Sequence, residues 1–187
     1  MEVPKAQCFL VSSRAGVAPY MKKEEAHMDI FEFAMKMEKD GEGYYRELAK
    51  KSSTTGLSNI FTMLAKAEVV HYEIFKKMKE NEKVKVTDTK ILSQVKNVFE
   101  TMREEKDIKS GITETELYHK ALDAEKRSRE FYLSKAGEVK DADQKEIFHK
   151  IADEEKKHYL ILQEIVDFVS SPQTWLENPE WYHLEEY

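Results

Sequence analysis

AKAEVVHYEIF, residues 65–75, spaces Ala65, Val69, Tyr72 and Phe75 as one face of a helix, yet sets Glu68 and His71 on or beside that same face. A soluble helix normally buries hydrocarbon there, so an acid and an imidazole in those places need partners. The pattern returns in IADEEKKHYLIL, residues 151–162, where Glu155, His158 and Tyr159 hold the same relative positions.

The E-x-x-H spacing alone carries no weight, because each of the six histidines, His27, His71, His119, His149, His158 and His183, has a glutamate three residues before it. Self-similarity is what separates them. Sliding the chain by 87 residues lays Glu38 on Glu125, Tyr45 on Tyr132, Phe61 on Phe148, Ala65 on Ala152, Glu68 on Glu155, His71 on His158 and Tyr72 on Tyr159, with no gap. Only two of the six pairs map onto each other. The repeated unit covers about residues 29–80 and 116–167. His149 lies nine residues before His158, half a turn away round a helix, and is expected to face solvent. His119 is likewise off the face of Glu125.

Around this repeat the periodicity predicts helix A from about Asp29 to Lys51, stopped by SSTTG at Ser52–Gly56, and helix B from about Leu57 to Glu80. A shorter helix is predicted over Thr89–Glu105 with Asp88 as its N-cap. Helix C is expected from Thr113, at capping-box spacing from Glu116, to Gly137, and helix D is expected to follow Asp141 as its cap, with Gln144 three residues on, and to run to about Ser170. Two tight hairpins joined by about 30 residues between B and C give an all-α, ferritin-like four-helix bundle with one long crossover that carries a short helix. Residues 23–170 form this domain. Residues 1–22 read as an extended arm, and 171–187 as an aromatic tail, PQTWLENPEWYHLEEY from Pro172, whose rings need a surface to cover. A homodimer is expected on that ground.

Glu38 shares a stripe with Phe31, Ala34, Tyr45 and Ala49, and Glu125 with Tyr118, Ala121, Tyr132 and Ala136, so both acids point inward. Four helices then bring Glu38, Glu68, His71, Glu125, Glu155 and His158 to one level. Four buried carboxylates repel one another, and each ion is costly to desolvate. Two divalent cations per chain balance them. Carboxylate oxygen with imidazole nitrogen suits iron, with manganese or zinc as other choices, and the set matches the dinuclear carboxylate pattern of two single glutamates plus two Glu-x-x-His pairs. Glu68 and Glu155 are expected to bridge the metals, with Glu38 and Glu125 terminal. The competing arrangement is a metal-free bundle with hydrogen-bonded acids and histidines. Tyr45 and Tyr132 fit equally well as core aromatics or as hydrogen-bond donors to a ligand carboxylate, and Glu42 is open to a site-facing or a solvated position.

Composition narrows the classes further. A net charge of -6 argues against a nucleic-acid partner. The single cysteine, Cys8, excludes an intramolecular disulfide and sites built from several thiolates within these residues. No run reaches the roughly 18 apolar residues of a membrane span, and the apolar patch Cys8–Val11 is shorter than the roughly 7 residues of a signal peptide's apolar region. A cytoplasmic protein is expected.

MEKDGEGYY and LAKAEVVHYEIF in one half, with DAEKRSREFY and IADEEKKHYLIL in the other, make residues 29–170 resemble the rubrerythrin family of the ferritin-like superfamily. The resemblance implies a di-iron oxidoreductase that reduces hydrogen peroxide or O2. Peroxide-reducing rubrerythrins carry a rubredoxin module with four cysteines; with only Cys8 here, a separate electron-donor protein is implied. Those enzymes also have a further Glu one turn after the terminal ligand of helix C, where this chain has Ser128. Other expectations that the residues allow are a non-catalytic, iron-handling or zinc-binding bundle, a metal-free interaction module, and, with the least support, a substrate hydroxylase.

Overall fold

The computed structural model describes residues 29–87, 89–104 and 112–170, and among these every regular element is a helix. The expected arm, the aromatic tail with its homodimer contact, and the Asp88 cap lie outside the described residues. In chain order the helices are α1 (Ile30–Lys51), α2 (Thr55–Lys79), α3 (Ile91–Glu104), α4 (Ile112–Glu138) and α5 (Ala142–Ser170).

α1 and α2 form an antiparallel hairpin: the Ser58 hydroxyl donates to Ala49 O at 2.9 Å at the turn, and Lys79 pairs with Glu32 at the far end. Thr54 caps α2, its side-chain oxygen accepting from Leu57 N at 3.2 Å. α2 therefore starts at Thr55, two residues before the predicted Leu57. Gly56 belongs to its first turn and does not act as a stop. α4 and α5 form the second hairpin, where Asp141 Oδ1 accepts from Gln144 N at 2.8 Å, the cap that the sequence predicts.

α3 starts at Ile91 and not at Thr89, because Thr89 is engaged elsewhere: its backbone N (3.2 Å) and its hydroxyl both donate to the Glu154 carboxylate of α5. From there α3 packs its stripe of Ile91, Val95, Phe99 and Met102 onto α2 and α5. α4 begins one residue before the predicted cap Thr113 and ends one residue after Gly137, within the usual fraying of helix ends.

The apolar core falls into two bodies. One gathers Leu57, Phe61, Leu64, Tyr118, Ile161, Ile165 and Phe168 with the face of α3; the other gathers Ala34, Phe75, Tyr132, Phe148 and Ile151. Buried polar side chains lie between them. His119 and His149 are exposed, as the helical geometry requires. No helix among the described residues is long and apolar enough to cross a membrane.

Candidate metal centre

The polar layer between the two apolar bodies contains Glu38 from α1, Glu68 and His71 from α2, Glu125 from α4, and Glu155 and His158 from α5. None of the six is more than 5% exposed. They form two groups, Glu38–Glu68–His71–Glu155 and Glu68–Glu125–Glu155–His158, and within each group one ligand atom per residue lies within 4.8 Å of the others. Glu68 and Glu155 belong to both.

How they are shared is visible atom by atom. His71 Nδ1 approaches Glu38 Oε2 at 3.3 Å, Glu68 Oε2 at 3.7 Å and Glu155 Oε1 at 3.2 Å. His158 Nδ1 approaches Glu68 Oε1 at 3.1 Å, Glu155 Oε2 at 3.2 Å and Glu125 Oε1 at 3.7 Å. Each central carboxylate thus turns one oxygen to each histidine. The two imidazoles lie nearly parallel, with centroids 5.5 Å apart.

Glu38 Oε2, Glu68 Oε1, both oxygens of Glu155, and Nδ1 of both histidines are buried without a well-directed hydrogen bond. Orphaned buried polar atoms are expensive, and here they converge on common points. Oxygen and nitrogen lone pairs so placed suit divalent cations such as iron, manganese or zinc. The residues therefore fit metal binding.

Without metal, protons must balance the charge. Burial, then repulsion from Glu155 and Glu68, pushes the Glu38 carboxyl well above the ordinary range, and the same causes act on Glu125. Burial alone would depress His158, but Glu155 and Glu68 outweigh it and raise the imidazole to about 9. His71 is raised well above its ordinary value, Glu155 again outweighing burial. Burial also acts to raise Glu68, yet the adjoining Glu38 carboxyl and the two imidazoles beside it hold it low, and the imidazoles do the same for Glu155. The cluster is then neutral, with Glu38 and Glu125 protonated and two imidazoliums set against the Glu68 and Glu155 carboxylates.

Two tyrosines brace Glu125 and Glu38 across the bundle. Tyr45 of α1 donates to Glu125 Oε1 of α4, and Tyr132 of α4 donates to Glu38 Oε1 of α1. Burial first, and then the neighbouring carboxylates, raise both phenols, so they remain donors. Of the two roles that their spacing allows, both rings take both: they pack in the core and they orient an acid. Glu42 does not join the cluster. It is bonded on its own helix by Lys39 Nζ at 2.6 Å and Arg46 Nε at 2.7 Å.

Sequence reasoning missed Glu154. It is buried next to Glu155, accepts from Thr89 and from Lys157 Nζ at 2.8 Å, and ties the crossover chain to α5. The repeat held the signal, since Glu154 falls on Ala67 and so breaks the duplication.

An all-helical bundle whose polar layer joins four carboxylates and two imidazoles defines the ferritin-like class. The family model for rubrerythrin matches residues 29–166, and the chain belongs to that family. Neither a curated protein nor a solved structure matches it.

Proposed function

We propose that the chain is a dinuclear, di-iron carboxylate oxidoreductase that reduces hydrogen peroxide or O2 with electrons from a separate donor protein. The observation that carries this reading is the pair of ligand groups sharing Glu68 and Glu155. Glu38, Glu68, His71 and Glu155 would hold one ion, and Glu68, Glu125, Glu155 and His158 the other. Glu68 and Glu155 would be shared between the two ions, and Glu38 and Glu125 would each serve one. Two iron ions bound there would supply the electron pair that takes peroxide and two protons to two waters.

The remaining work belongs to the protein. The apolar bodies above and below exclude bulk water, and Tyr45 and Tyr132 fix the terminal carboxylates through hydrogen bonds. Ser128, at the place of the further glutamate in peroxide-reducing relatives, leaves the two halves of the centre alike. The single cysteine cannot build a four-thiolate iron site in these residues, which supports a donor centre outside them.

A second reading, a non-catalytic metal-binding or iron-handling bundle, is favoured by one feature: the cluster divides the core, so ions there would hold the bundle together. Metal content by mass spectrometry, then stopped-flow mixing of anaerobically loaded ferrous protein with peroxide and with O2, separates the two. About two metals per chain, lost in a Glu68→Ala, Glu155→Ala double variant, and oxidation faster than that of free ferrous ion are expected. Metal uptake without such oxidation leaves only the binding role, and no uptake overturns both.

A further inference from the structure

The two histidines occupy equivalent places in the repeat, yet their surroundings differ. His158 is fully buried, and its Nε2 is sealed without a hydrogen-bond partner. His71 lines a cleft of about 370 Å³ between α2 and the chain at residues 83–87 and Thr89. Its Nδ1 faces the carboxylates, so the opposite edge of the ring meets the cleft.

The cleft is basic. Lys77, Lys83 and Lys85 line it, all exposed, and none pairs with an acid among the described residues. Of its two acids, Glu154 is held by Thr89 and Lys157, which leaves Glu73. Beside the lysines stands Val70, 53% exposed and the most exposed large apolar side chain among the described residues. The repeat is broken here: Lys77 corresponds to the buried Glu164, and Val70 to Lys157.

We infer that this cleft is the docking surface for an acidic electron-carrier protein, with the His71 ring as the connection from the surface to the metal centre. The inference rests on the peroxide-reducing function proposed above. An exposed apolar residue among polar neighbours has the anatomy of a transient interface, and clustered lysines on a chain of net charge -6 steer an acidic partner to one place. The same lysines repel divalent cations, so the cleft does not serve metal loading. Reduction of one peroxide consumes two electrons, so a one-electron carrier docks twice, being oxidised by one electron each time.

Rubredoxin, a small acidic one-electron carrier, is the probe. Its binding to the isotope-labelled, zinc-loaded protein is followed by NMR at low salt, and reduction of the ferric-loaded protein by reduced rubredoxin is followed by stopped flow. Shifts are expected around residues 70–77 and 83–87. Affinity should fall about tenfold or more in a Lys77→Glu, Lys83→Glu, Lys85→Glu variant, with the reduction rate falling in parallel. A charge-matched variant, Lys120→Glu, Lys126→Glu, Lys140→Glu, should bind like the parent, and unchanged melting temperatures control for folding. Absent binding, shifts elsewhere, or equal loss in both variants overturns the inference. So does octanoate occupying the cleft without being displaced by rubredoxin, which makes it a small-molecule site. If docking maps to the cleft but peroxide does not oxidise the ferrous protein, the proposed function falls and this surface stands; the reverse result removes the surface alone.

Discussion

At the scale of single residues, Glu125 and Glu38 of the polar layer each accept from a phenol of the opposite hairpin. Tyr45 reaches Glu125 and Tyr132 reaches Glu38, so each hairpin orients a carboxylate of the other. Phenylalanine at either position keeps the ring packing and removes the donor. Tyr45→Phe and Tyr132→Phe should each weaken metal binding about 10–100-fold, read by competition with a chromophoric chelator. The double variant should lose more than either single one, because the two bonds serve different acids. Equal affinity in all three would mean that packing alone orients Glu38 and Glu125. These bonds were only half legible in the sequence. A tyrosine seven residues after a glutamate shares its face, but spacing along one helix cannot say that the phenol bonds the acid of another. The six cluster residues were legible, because a duplication without gaps carried all six and helical geometry set His119 and His149 aside.

At the scale of elements, the crossover depends on a glycine. A Cβ at Gly56 would lie 2.2 Å from Cγ and Sδ of Met102, so α3 lies against α2 where α2 has no side chain. Met102 is almost wholly buried, which leaves little room to give. Gly56→Ala should destabilise the protein by about 1–3 kcal/mol through overpacking, more than the roughly 1 kcal/mol or less gained in helix propensity. Urea unfolding measures it. A double-mutant cycle with Met102→Ala should show coupling between the two sites, and additivity would place the clash elsewhere. Thr54→Ala, which removes the cap of the same helix, should cost about 1 kcal/mol. Sequence signals placed Gly56 at a helix stop, since glycine after SSTT reads locally as a breaker. The close approach of a residue 46 positions away, which explains the glycine, has no local trace. Helix existence, by contrast, was legible throughout, because long amphipathic periodicity is set by the core and not by the ends.

At the scale of the whole molecule, the polar layer is a waist between two apolar bodies, and what neutralises it controls stability. Without metal, Glu38, Glu125, His71 and His158 hold protons more tightly when folded than when unfolded. A group with a raised folded pKa stabilises fully below its unfolded value, and that stabilisation is lost as pH rises through the folded one. For His158 the window runs from the ordinary 6.5 to about 9. Glu68 and Glu155 have the opposite sign: their contribution is present above the ordinary 4.5 and is lost as pH falls below it. The metal-free bundle should therefore be most stable in weak acid and lose stability toward pH 9. The loaded bundle gains, because metal must displace those protons and binds more tightly as they leave. Metal that binds only the folded state also raises the melting temperature, by an amount that grows with the logarithm of its affinity. The gap in melting temperature between metal-loaded and chelator-treated protein should thus widen from about pH 6 to about pH 9. Calorimetric titration with ferrous ion in buffers of different ionisation heat should register proton release near neutral pH. A gap independent of pH, with no proton release, would place the metal away from these six residues, because four carboxylates and two imidazoles this deeply buried cannot take up cations without giving up protons.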